Sequence, residues 1–127
     1  MTDMQTPRHR ARGLGTARSG TAHFWMQRVT AIANIPLTLL FLALLIALIG
    51  SDYSVARAYV ANPFVAIILI LLAISGAFHM RIGMQVIIED YIHSPPIKMI
   101  CLAGNILFSA MIGVACIYAV LRISLGS

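Results

Sequence analysis

Charge is scarce in this chain. Only 10% of its 127 residues are Asp, Glu, Lys or Arg, and only four are acidic. A soluble domain usually carries about 25% charged residues and is about 45–50% apolar, whereas 60% of this chain is hydrophobic and its mean hydropathy is +0.90. That balance excludes an ordinary soluble domain and defines an integral membrane protein. Cysteine is scarce as well. Cys101 and Cys116 lie in one apolar run, about 22 Å apart along a helix axis, well past the roughly 7 Å Cα separation that a disulfide tolerates. They carry no information about redox compartment. No short apolar core of the signal-peptide kind precedes the first span, and no internal repeat, heptad run or low-complexity segment stands out among the spans.

What remains is long apolar sequence. Val29 to Ile49, Phe64 to Ile88 and Met99 to Leu121 each reach the roughly 20 helical residues that cross a bilayer core of about 30 Å. Each far exceeds the 9–11 residues of a barrel strand, and backbone groups in lipid must be satisfied within the element, so the spans are helices. The expected fold is an all-α integral membrane protein with three transmembrane helices. A basic tail over residues 1–22 precedes a three-helix anchor over 23–127, with spans at about 25–50, 62–91 and 97–123, and no room is left for a separate soluble domain. Gly50-Ser51-Asp52 ends the first span, Asn62-Pro63 opens the second with proline in the first turn, and Ser94-Pro95-Pro96 separates the second from the third. Pro36 removes one backbone hydrogen bond inside the first span and is expected to bend it.

The positive charge is unevenly placed. Arg8, Arg10, Arg12, Arg18 and Arg28 precede or open the first span, against Arg57 in the first loop, Lys98 in the second and Arg122 near the end. Lys and Arg next to spans are retained on the cytoplasmic side. The expected topology has the N-terminus and the Glu89–Lys98 loop in the cytoplasm, or in the matrix of a mitochondrion, and the C-terminus across the membrane. Phe24 and Trp25 on one side and Tyr53 and Tyr59 on the other suit interfacial aromatic belts. The tail is rich in Arg, Gly and Thr and shows no apolar stripe. It reads as a segment without its own fold rather than as an amphipathic transit peptide. The lipid bilayer accounts for the basic bias, and no nucleic-acid partner is expected.

Polar residues are rare in the second span, and His79 is the one that demands a reason. A histidine in hydrocarbon costs free energy unless something engages it, so it marks a functional site by default. At about 100° per residue Gly76, His79, Gly83 and Asp90 share one stripe, with Asp90 about 20° around from His79 and about 16 Å further along. One face thus offers a ligand, two gaps and a carboxylate. The glycines would let a flat macrocycle approach the backbone, although spacing alone favours close helix packing over a cofactor cradle. Imidazole can ligate haem iron, relay protons or hydrogen-bond a neighbouring helix. A proton path needs several ionisable groups at graded depths, and after Arg81 nothing acidic occurs until Glu89, which leaves haem as the better specific reading. His9, His23 and His93 fall at or beyond the membrane surface, so a second axial ligand must come from another polypeptide. Arg81 sits about 200° around from His79 and reads as a residue that snorkels or pairs.

The order His79, Gly83, Asp90, Tyr91, together with Gln27-Arg28-Val29-Thr30-Ala31-Ile32 at the opening of the first span, resembles the small hydrophobic D-type anchor subunit of succinate dehydrogenase, respiratory complex II. The resemblance covers three spans from Thr21 onward. It implies that His79 is an axial ligand to haem b, whose other ligand is a histidine of the larger C-type cytochrome b anchor. It implies that Tyr91 hydrogen-bonds a carbonyl oxygen of ubiquinone, with Asp90 beside it, and that Arg28 lies near the haem propionates and the quinone pocket. His23 falls one position away from a family histidine of that region. The implied partners are the C-type anchor, an iron-sulfur subunit that passes electrons to quinone, and a flavoprotein that oxidises succinate at FAD. No succinate chemistry is implied for this chain.

Read from residues alone, Tyr91 is an aromatic-belt side chain, while Asp90 and Glu89 are solvated charges. A quinone site needs a donor in a mostly apolar slot, and a tyrosine hydroxyl supplies one without a permanent charge. Arg28 and Tyr91 fall on the same side of the membrane, so one interfacial pocket is expected to hold both. Two other function classes remain open. A transporter or channel subunit should show polar residues along more than one helix and an inverted repeat, and the first and third spans are almost uniformly apolar; an assembly subunit without cofactor would leave a purified complex with no haem band. The related fumarate reductase anchor is a closer alternative.

Overall fold

The computed structural model describes residues 19–126. The tail through residue 18, including Arg8, Arg10, Arg12 and Arg18 and the expectation that it lacks its own fold, lies outside them. Among the described residues four helices follow one another: α1 Ser19–Leu48, α2 Tyr53–Ala61, α3 Pro63–Tyr91 and α4 Pro95–Leu125. The architecture is all-helical, and α1, α3 and α4 are each long and apolar enough to span a membrane. Their 30, 29 and 31 residues amount to about 43–46 Å at 1.5 Å each, enough to cross the hydrocarbon core and reach through the headgroup layers.

Local chemistry explains the breaks. Gly50 takes φ +76°, the left-handed conformation that a side chain resists, and turns the chain after α1 while Ser51 N donates to Leu48 O at 3.0 Å. Asn62 closes α2 and caps α3: its Oδ1 accepts from Phe64 N at 3.0 Å, and Pro63 stands at the first helical position, where its missing N–H costs nothing. Pro95 opens α4 in the same way. The second loop runs only from Ile92 to Ser94, between the end of α3 at Tyr91 and the start of α4 at Pro95. Lys98 Nζ donates back to Glu89 O at 3.2 Å across this turn. Helix α1 runs unbroken through Pro36.

The short helix α2 was not evident in the sequence. It lies in the loop between the first two spans, packs against α3 and α4, and is tied to the far end of α4 by a hydrogen bond from the Arg57 guanidinium to the Gly126 carbonyl. A nine-residue helix is too short to stand alone, so this contact and its packing hold it in place.

Helix α3 stands between α1 and α4 and packs against both. The buried side chains are few and half polar: Ala66, Ile82 and Ile88 on one hand, Thr30, Asn105 and Ser109 on the other. Such a composition is unusual in water and reasonable in lipid. Hydrocarbon solvates leucine as well as a neighbouring helix does, so helices associate through small residues and interhelical hydrogen bonds. At the α3–α4 contact Asn105 Nδ2 donates to Arg81 O at 2.8 Å, and Ser109 Oγ donates to Asn105 Oδ1 at 3.4 Å. One turn further along, Gly113 is buried against Ala77. Most large apolar side chains stay exposed on the chain by itself, Phe64 and Ile49 among them.

Candidate functional site

His79 lies midway along α3, about 18 Å before its end, and Thr30 lies about 16 Å after the start of α1. Because α1 and α3 run in opposite directions through the bundle, those two depths coincide. The structure joins the residues: Thr30 Oγ1 and His79 Nδ1 are 3.1 Å apart. Thr30 is 6% exposed, and its hydroxyl also faces two carbonyls of its own helix, Met26 O at 2.8 Å and Gln27 O at 3.1 Å. One turn before His79, Ser75 Oγ donates weakly to Thr30 O at 3.4 Å. A polar seam of Thr30, Ser75 and His79 therefore stitches α1 to α3 within the apolar layer.

The other imidazole nitrogen is differently placed. Nε2 has no hydrogen-bond partner among the described residues, yet it is not enclosed: the one buried side-chain polar atom without a partner among them is Asn34 Oδ1. Half-buried His79 thus presents Nε2 at the surface of this chain. Its flanks are bare, since a Cβ built on Gly76 or on Gly83 meets nothing within 4 Å. Close helix packing, the reading that spacing alone favoured for these glycines, is absent there within this chain; the tight contact is made at Gly113, where a built Cβ lies 3.2 Å from Ala77 Cβ. An accessible imidazole nitrogen flanked by two glycines fits a flat macrocycle bound through its metal. Among the described residues no three His, Cys, Asp or Glu side chains gather into a metal site.

Arg28, Asp90 and Tyr91 are all exposed, Tyr91 by 79%. The Arg28 guanidinium stacks over the Phe24 ring, 4.6 Å from its centroid, and Phe24 meets Trp25 edge-on at 6.2 Å, an arrangement that suits a membrane interface. At the same end a groove of about 400 Å³ opens between α1 and α3, lined by His23, Phe24, Gln27, Gln85 and Glu89 among others. Gln85 Nε2 donates to Glu89 Oε1 at 2.8 Å on its wall. Neither Arg28, Asp90 nor Tyr91 lines this groove, and no hydrogen bond among the described residues connects the three. Arg81 is half-buried and shares a second groove with His23 and Met26 near the start of α1, while its backbone carbonyl serves the α3–α4 contact. His23 and His93 are exposed.

Thr30, Ser75, Asn105 and Ser109 had no assigned role in the sequence. A signal was present in the third span, where Asn105 and Ser109 stand four apart and so share a helix face. Nothing in the sequence marked Thr30 as the residue that meets His79.

Three membrane-length helices, with an intramembrane histidine that leaves one ring nitrogen open, define a small helical membrane protein. The chain belongs to the succinate dehydrogenase/fumarate reductase transmembrane subunit family, whose model matches residues 2–121. It is similar to the succinate dehydrogenase hydrophobic membrane anchor subunit of Paracoccus denitrificans, 35% identical over 122 residues that cover 96% of this chain and 94% of that one. It is also similar to the subunit of that name from Rickettsia bellii (strain RML369-C), 34% identical over 111 residues, 87% of this chain and 89% of the other. No solved structure matches the chain.

Proposed function

We propose that this chain anchors a succinate:ubiquinone oxidoreductase in the bacterial inner membrane and supplies one axial ligand, His79, to haem b. The observation that carries this reading is the His79 ring itself, engaged at Nδ1 and open at Nε2 between Gly76 and Gly83, in a chain of this family. His79 would hold the iron together with a histidine of the C-type anchor, whose helices would complete a six-helix domain. Haem supplies a one-electron carrier within the membrane. The residues of this chain would hold and orient it, and their apolar surroundings would exclude water.

At the end of the bundle where α1 starts and α3 finishes, Tyr91 would donate its hydroxyl to a ubiquinone carbonyl, with Asp90 beside it and Arg28 toward the haem propionates. These three side chains are exposed on the isolated chain, so the slot they serve is closed by the C-type and iron-sulfur subunits. The flavoprotein oxidises succinate, and this chain has no part in that step. The Arg bias around the first span supports an N-terminus on the cytoplasmic side and a C-terminus on the periplasmic side. Succinate oxidation is preferred to fumarate reduction because the relatives from both organisms carry the succinate dehydrogenase name.

The test is an absorption spectrum of the affinity-purified complex, intact and with His79→Ala. Loss of a b-type band in the variant, with all subunits still present on a gel, is the expected result. An unaltered band in His79→Ala removes His79 as ligand and leaves a three-helix anchor without a haem role.

A further inference from the structure

We infer that Thr30 is the positioning residue for His79: its hydroxyl accepts a hydrogen bond from Nδ1–H, which fixes the neutral imidazole in the tautomer whose Nε2 lone pair is free to bind iron. This inference rests on the ligand role proposed above and adds the residue that enforces it.

Proton counting sets the direction of this hydrogen bond. A threonine hydroxyl has one proton and two lone pairs. Thr30 Oγ1 lies 2.8 Å from Met26 O, an ordinary O–H···O separation. A carbonyl cannot donate, so two oxygens this close repel unless the threonine proton lies between them. With that proton committed to Met26 O, Oγ1 can only accept from His79 Nδ1 at 3.1 Å, and Nδ1 must carry the hydrogen. In a neutral ring the other nitrogen is then bare. The reverse tautomer would put a lone pair on Nδ1 against the oxygen lone pairs and a proton on Nε2, where it blocks a metal.

Geometry also limits the alternatives. Thr30 is buried, so water does not compete freely for Nδ1, and Ser75 Oγ is directed to the Thr30 carbonyl rather than to the imidazole. Thr30 is thus the sole partner of Nδ1 among the described residues. Metal-bound histidines nearly always donate their second N–H to such a partner, and loss of the partner typically weakens metal binding about 10- to 100-fold. Donation from Nδ1–H also makes Nε2 a better electron donor, which stabilises the oxidised metal, so removing the acceptor should move the haem midpoint potential upward.

The experiment compares the whole complex with Thr30→Val, which keeps the shape and loses the hydroxyl, with Thr30→Ser, which keeps the hydroxyl, and with His79→Ala. In Thr30→Val the b-type band is expected to survive with a more positive midpoint potential and about 10- to 100-fold weaker haem retention; Thr30→Ser should restore both. Unchanged potential and retention in Thr30→Val overturn the inference, and so does a change that serine fails to rescue, because that change reports packing. An independent measurement needs no variant: electron-nuclear double resonance on the oxidised native complex should show an exchangeable proton on His79 Nδ1, identified by ring-specific isotope labelling, and its absence overturns the inference. A band that persists in His79→Ala rejects the ligand reading itself, so the two failures are distinguishable.

Discussion

The α3–α4 contact at Gly113 gives a sharp test of how this bundle is held together. A Cβ added to Gly113 would lie 3.2 Å from Ala77 Cβ, inside the roughly 3.5–4.0 Å at which two carbons attract, so the helices must separate by about 0.3–0.8 Å or shift along each other. Overfilling a packed site costs about 1–3 kcal/mol, and a single methyl belongs at the low end. Alanine is also the better helix former by about 1 kcal/mol, so Gly113→Ala should be nearly neutral because two effects cancel. Ala77→Gly alone loses that propensity, about 1 kcal/mol. In the Ala77→Gly background the clash is gone, and Gly113→Ala should then stabilise by about 1 kcal/mol. The exchanged pair, glycine on α3 and alanine on α4, should lie within about 0.5 kcal/mol of the native protein, with a coupling of about 1 kcal/mol. Gly113→Leu, in contrast, should cost about 2–3 kcal/mol. The assay is an SDS titration of the solubilised complex in mixed micelles, followed by helicity and by retention of this chain. Strict additivity, with Gly113→Ala having the same effect in both backgrounds, would refute a direct Gly113–Ala77 contact.

Other contacts of the bundle carry expectations of their own. Asn105→Leu removes the 2.8 Å bond to Arg81 O and should destabilise by about 0.6–1.7 kcal/mol in that titration, while Ser109→Ala, which loses only a 3.4 Å contact, should cost less; the reverse order would contradict the structure. Asn62→Ala removes the cap on Phe64 N and should cost about 1 kcal/mol, whereas Asn62→Asp should keep most of the stability. Tyr91→Phe should leave stability unchanged because the side chain is 79% exposed. It should raise the KM for ubiquinone about 3- to 10-fold, the worth of one neutral hydrogen bond, and unchanged steady-state quinone reduction would remove Tyr91 from that site.

The number of spans and the oddity of His79 could be read without coordinates, since bilayer thickness and the cost of a polar group in oil act along one dimension of the chain. The positions of Gly50, Asn62 and the Pro95-Pro96 pair marked the helix ends for the same reason: turn and cap chemistry is local. Helix α2 escaped because nine residues between two breaks look like a loop until α3, α4 and the Gly126 carbonyl hold them. What only the tertiary structure decided is which faces meet. Spans that are apolar nearly all round carry no stripe to show their rotation, so the sequence could not tell that Thr30, 49 residues away, engages His79. Nor could it tell that the close approach falls at Gly113 and Ala77 while Gly76 and Gly83 stay open. Contacts between helices depend on crossing geometry summed over the whole bundle, and that sum exists only in three dimensions.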